Sequence, residues 1–197
     1  MASTFEYHPQ PTLITWAETK MRETYPGFVF ARDARAIGHA RDGELVAVVV
    51  YDRWSENDCM VHVVSDGSRS WMTRSFAVVA MAYPFRQLGF TRITAMVSEL
   101  NEESLRFSQR FGWRLEGYLR KAGPKGEGLL LFGMLKSECR WLPEAAETFR
   151  SDEISGIEGW QRAQDVLSRS RRTSNGQVSA IRAGSGSEYR PRRTQAG

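Results

Sequence analysis

The sequence predicts a mixed, mainly antiparallel α/β sheet of six to seven strands with helices on its faces. A parallel pair at its centre splays to leave a cleft, and a helical or disordered extension follows. Three observations carry this. Asp42-Gly43 lies between two strand-like runs, a hairpin signal. Helical patterns stand on both sides of a strand-like run at 92–97, so parallel crossovers interrupt the antiparallel order. The last thirty or so residues are rich in Ser, Gly and Arg and cannot bury enough surface to offset their ordering entropy.

Along the chain, Leu13, Trp16, Lys20 and Tyr25 fall near helical spacing over 12–24, and Pro26-Gly27 ends that helix. Runs 35–40 and 44–51 form the hairpin. The second contains Leu45-Val46-Ala47-Val48-Val49-Val50-Tyr51, a continuous apolar stretch expected of a strand covered on both faces. A third strand spans 59–64. Ser68 or Ser70 is the expected cap of a helix running to about Leu88, kinked by Pro84 and closed by Gly89. Strand 92–97, helix 102–111 stopped by Gly112, strand 114–121, a turn at 123–126 and strand 128–136 complete the body. The expected organisation is a domain at 1–141, a helical extension at 142–168 whose Ile157, Trp160 and Leu167 share one face, and a basic tail at 169–197.

The 197 residues are 41% hydrophobic and 25% charged, enough apolar surface for one folded core. No apolar run approaches the ~18–20 residues of a membrane span, and the N-terminal segment lacks the pattern of a secretory signal. Cys59 and Cys139 stand apart, without zinc-site spacing, and read as reduced thiols of a cytoplasmic protein. His8, His39 and His62 are too scattered to argue for a metal. The formal charge of +4 belongs to the tail: residues 1–165 carry a net −2, whereas 166–197 hold seven arginines against Glu188 alone. The body therefore has no charge-based reason to bind nucleic acid. The tail reads either as a solvated terminus or as a basic arm that orders on an acidic protein surface or a nucleic acid.

One ordered set of residues carries a resemblance. Asn101-x-x-Ser104-x-x-Phe107-x-x-x-Phe111-Gly112-Trp113-x-x-Glu116-Gly117-x-x-Arg120, preceded by Tyr83-Pro84-Phe85-x-Gln87-Leu88-Gly89-Phe90-x-Arg92-Ile93, resembles the GNAT superfamily of acyl-CoA N-acyltransferases. The pattern is nearest to the ribosomal-protein acetyltransferases and to phage-encoded GNAT-like proteins. It covers about 34–141 and is strongest over 83–120. The resemblance implies acetyl-CoA as cofactor, its pantetheine arm held by Asn101 and Ser104 and by the backbone of the third strand at Val63 and Val64. Left to themselves, Asn101 and Ser104 read as a helix cap.

The family's phosphate loop falls here on Ser68-Arg69-Ser70-Trp71, with Arg69 and Trp71 where its glycines belong. Trp71 obstructs a close backbone approach and Asp66 adds negative charge, while two serines and Arg69 keep the makings of an anion site at a helix start. For catalysis, His62, Glu56 and Asp58 are the candidate bases, His62 foremost. Ser108 stands where family members often place an acidic tyrosine, and Cys59 has no paired base. Glu116 reads as acceptor-side or as half of a cross-strand ion pair. Two functions follow. One is an N-acetyltransferase acting by direct attack of an amine in a ternary complex. The other is a scaffold of this fold that has lost catalysis and serves a structural or interaction role, as in a bacteriophage virion or its assembly.

Overall fold

The computed structural model describes residues 3–68 and 71–142. The expected helical extension and basic tail, apart from Leu142, lie outside the described residues, as do Arg69 and Ser70.

Seven strands form one sheet: β1 (Ser3–Glu6), β2 (Arg35–Arg41), β3 (Glu44–Asp52), β4 (Met60–Ser65), β5 (Arg92–Ser98), β6 (Arg114–Leu119) and β7 (Leu129–Leu135). Their spatial order is β1-β2-β3-β4-β5-β7-β6. Every neighbouring pair is antiparallel except β4 and β5. The edge strand β1 is the element that sequence periodicity missed. Four residues are too few to show alternation, and its placement comes from pairing Ser3–Glu6 against Arg41–Gly38.

Helix α1 (Gln10–Thr24) crosses one face of the sheet. Leu13 and Ala17 project from it into a core with Phe30, Ala36, Val48, Val50 and Val64. Burying a side chain such as Leu13 stabilises by about 1.5–3 kcal/mol. Gln10 also ties the helix to β2, donating to the Ala36 carbonyl and accepting from its N–H.

Helix α2 (Arg74–Ala82) belongs to the opposite layer, with Phe76, Ala77, Ala80 and Met81 buried. The cap expected at Ser68 or Ser70 is instead Thr73, whose side chain accepts from the Phe76 N–H. The turn after β4 is correspondingly longer. Pro84 does not simply kink an α-helix: the chain widens into a π-helical turn at Tyr83–Gln87, one way to accommodate a proline that supplies no N–H. Buried Tyr51 donates its hydroxyl to the Ala80 carbonyl at 2.7 Å, fixing α2 against β3.

Helix α3 (Glu102–Phe111) begins where β5 ends. Asn101 caps it by accepting from the Ser104 N–H, and Glu102 and Glu103 in its first turn complement the helix dipole. Gly112 closes it in the left-handed region at φ +110°, a conformation that favours glycine. Among the described residues no helix is long and apolar enough to cross a membrane.

Candidate active site

The site begins with a difference in pairing. From Ala47 to Asp52, β3 is matched to β4 residue by residue, whereas β4 and β5 meet at one bridge, Met60 with Thr94. The Thr94 N–H donates to the Cys59 carbonyl at 2.9 Å, and beyond that point the two strands part. On the far side of β4, the Asp66 N–H bonds the Val46 carbonyl of the β3 edge. By strand alternation the even residues of β4 therefore turn their peptide groups to β3, and Val63 turns its N–H and C=O into the gap. That parting leaves a mid-strand valine 36% exposed.

The gap forms a cavity of about 120 Å³ that reaches through the sheet from one helical layer to the other. Met21 and Tyr25 of the α1 layer line it on one side, and Ser104, Phe107, Ser108 and Trp113 on the other, with His62 and Val63 between. His62, Val63, Asn101, Ser104 and Ser108, five residues singled out in the sequence, thus come together. Val64 does not join them, because its side chain belongs to the α1 core. Ser68 and Trp71 lie in the turn beyond β4.

His62 points to the α1 side, its ring edge-on to Phe28 and Phe30 at 6.2 and 5.2 Å. Its Nε2 lies 2.9 Å from Oδ1 of Asp52, which is buried at 1% exposure and also accepts from the Ala31 N–H through Oδ2. Burial pushes the Asp52 carboxyl up, but the hydrogen bond and charge of His62, the Ala31 N–H and Arg53 together outweigh it and hold it below its ordinary value. An ionised carboxylate only accepts, so the ring proton sits on Nε2 and a neutral imidazole keeps its lone pair on Nδ1. Asp52 was missed in the sequence. Its one visible signal is a carboxylate closing a continuous apolar strand.

The other candidate bases are Asp58 and Glu56. Asp58 accepts from the Thr94 hydroxyl and lies 3.5 Å from Arg92, which also forms a paired salt bridge with Glu116. Glu116 is therefore half of a cross-strand ion pair, whereas Glu56 is exposed on the loop before β4. Burial, reinforced by the Asp58 and Asp52 charges, pushes the Cys59 thiol up to about 12, so it holds its proton at neutral pH.

The turn after β4 is closed by its own groups. Gly67 takes φ +82°, the Asp66 carboxylate accepts from the Ser68 N–H at 2.8 Å, and the Ser65 hydroxyl accepts from the Gly67 N–H. The Ser68 hydroxyl is buried without a hydrogen-bond partner among the described residues. Trp71 packs its ring on Phe107 at 5.0 Å and offers its carbonyl to Nδ1 of the buried His39 at 2.6 Å. The indole stands at the α2 end of the groove and is not among the residues that line the gap. Among the described residues no group of three or more His, Cys, Asp or Glu is placed to hold a metal ion.

Solved structures share this architecture. The spermidine/spermine N-acetyltransferase SpeG of Vibrio cholerae matches with a TM-score of 0.54 over 68% of this chain and 93% of its own, at 13% identity. A GNAT-family acetyltransferase of Bacillus anthracis matches at 0.55, covering 70% and 97% of the two chains at 17% identity. Ard1 of Thermoplasma volcanium matches at 0.52, covering 68% and 98% at 13% identity. No protein-family model and no curated protein matches the sequence. The fold is that of the GNAT acetyltransferases.

Proposed function

We propose that the chain is an acetyl-CoA-dependent N-acetyltransferase that transfers an acetyl group to a primary amine by direct attack in a ternary complex. The observation that carries this reading is the parting of β4 from β5 beside the His62–Asp52 pair. It leaves an open strand edge and a histidine in one gap that can be entered from both layers.

The residues fit the two ends of acetyl-CoA unequally. The gap suits a pantetheine arm: Val63 offers an edge N–H, Phe107 an apolar wall, and Ser104 and Asn101 polar groups at the start of α3. The turn that would take the phosphates has spent the Ser68 N–H on Asp66, and keeps the Ser68 hydroxyl and the N-terminus of α2 for an anion. Bound there, acetyl-CoA supplies the acetyl group as a thioester. The amine enters on the Tyr25 side, and His62, oriented by Asp52, takes its proton. The Val63 N–H, turned into the gap, would be the donor to the thioester carbonyl oxygen when acetyl-CoA is bound. Ser108, buried on the α3 side of the gap, would be the hydroxyl to return a proton to the sulfur of the bound cofactor.

A second reading, a scaffold of this fold without catalysis, rests on the same turn. A carboxylate and an indole stand where the family pattern places glycines and free N–H groups. Calorimetry with acetyl-CoA separates the two. Saturable binding is expected of the enzyme, and no heat at millimolar cofactor leaves the scaffold, including a phage structural role.

A further inference from the structure

Residues 28–31, between α1 and β2, belong to no helix or strand, so their backbone groups must pair elsewhere. Two side chains of α1 supply partners. Arg22 donates from Nε to the Phe28 carbonyl at 2.8 Å, and Glu18 accepts from the Phe30 N–H through Oε1 at 3.0 Å. The two side chains also pair with each other, Arg22 Nη2 donating to Glu18 Oε2 at 2.7 Å. The result is a closed ring of hydrogen bonds in which one ion pair grips both ends of the Phe28–Phe30 stretch. An ion pair four residues apart on a helix contributes little by itself, so its reach to this backbone is what sets it apart.

What the ring holds is a wall of the site. Phe28 and Phe30 meet edge to face with 4.8 Å between their centres, and both pack on the His62 imidazole, while Val29 between them faces solvent. The next residue is held from the other side. The Ala31 N–H donates to Oδ2 of Asp52, whose Oδ1 meets Nε2 of His62. Segment and imidazole thus share one carboxylate. A shift of the segment would move the aromatic flank of the imidazole and loosen one of the bonds that fix Asp52. Misplacement of a catalytic group by about 1 Å is enough to cost a reaction heavily.

We propose that Glu18 and Arg22 are positioning residues for His62: their ring of hydrogen bonds holds the Phe28–Phe30 wall against the imidazole and keeps its flank covered. The consequence for turnover rests on the acetyltransferase reading, whereas the effect on the imidazole does not. Neither side chain is among the residues that line the gap, so both act through the wall rather than on a substrate. A closed ring also implies mutual dependence. Loss of either member leaves the other without the partner that aims it, so the two losses should not add.

The test is carbethoxylation of the full chain by diethyl pyrocarbonate at pH 7 without cofactor, followed residue by residue with mass spectrometry. His39 is the internal control, being buried with both ring nitrogens bonded. Glu18→Ala and Arg22→Ala should each raise the rate at His62 at least fivefold with the rate at His39 unchanged. The double variant should rise no further than either single one. Glu18→Gln, which keeps an oxygen for the Phe30 N–H, should return to within twofold of the wild type. An unchanged rate at His62, a rise matched at His39, additive effects, or no recovery in Glu18→Gln overturns the proposal while leaving the acetyltransferase reading intact. Calorimetry separates the two: the expected His62 response in a chain that binds no acetyl-CoA supports the positioning role and removes the acetyltransferase reading.

Discussion

The two ends of one groove make an instructive contrast. At the β4–β5 gap the backbone is open: a single bridge holds the strands, Val63 is half-exposed, and the polar groups of Asn101, Ser104 and Ser108 converge. At the turn after β4 the backbone is satisfied from within, the Ser68 N–H taken by Asp66 and the Trp71 carbonyl by His39. An N–H already bonded to a carboxylate offers a phosphate little, and the fixed negative charge repels it. The parting of β4 from β5 is thus independent of the hydrogen bonding in the turn that follows. Strand divergence is a property of the whole sheet, whereas a phosphate turn depends on a few local residues.

The largest expected effect lies at the open end. His62→Ala should lower kcat by about a hundredfold or more with acetyl-CoA affinity retained, the usual scale for loss of a general base, checked by steady-state kinetics beside calorimetry. An unchanged kcat would move the chemistry elsewhere in the gap.

Asp52→Asn should cost about 1–3 kcal/mol of stability at neutral pH, because a buried, ionised acceptor loses its charge-assisted bonds. The Asp52 carboxyl is held below its ordinary value in the fold. Its contribution is therefore complete above the ordinary carboxylate range and drains away as pH falls through the folded value. Urea unfolding at pH 7 and pH 3 should show the difference between wild type and variant shrinking in acid. A gap that widens there would reverse the assignment.

Asn101 separates capping from cofactor contact. Asn101→Ala should lose about 1 kcal/mol by removing the cap, while Asn101→Asp keeps the cap and discards the side-chain N–H groups. If acetyl-CoA affinity falls in the alanine variant and is retained in the aspartate variant, Asn101 acts only by starting α3.

At the closed end, Asp66→Ala should free the Ser68 N–H and remove a repelling charge, tightening acetyl-CoA by roughly threefold to tenfold at low salt. Calorimetry at two salt concentrations checks it, and unchanged affinity would place the phosphates away from this turn. Smallest of all, Cys59 and Cys139 should remain unlabelled by iodoacetamide in the native chain at pH 8. Burial pushes their thiols up to about 12 and about 11, and mass spectrometry reads the result.

Much of this fold follows from residue order alone. The Asp42-Gly43 hairpin, the continuous apolar β3 and helix α3 between Asn101 and Gly112 are local: capping, turn chemistry and periodicity act over a few residues and leave their mark in the letters. The same locality made Asn101 and Ser104 visible, and it made Asp66 and Trp71 visible in the turn after β4. Other features required the chain to be folded. Edge strand β1 is too short to show a period, and Thr73, downstream of both expected serines, caps an α2 that Tyr51 and the buried Phe76 tie to the core. Asp52 meets His62 across adjacent strands. Local conformation depends on near neighbours, so sequence records it. A site assembled across strands depends on register and on where β4 leaves β5, and those are fixed only when the whole sheet closes.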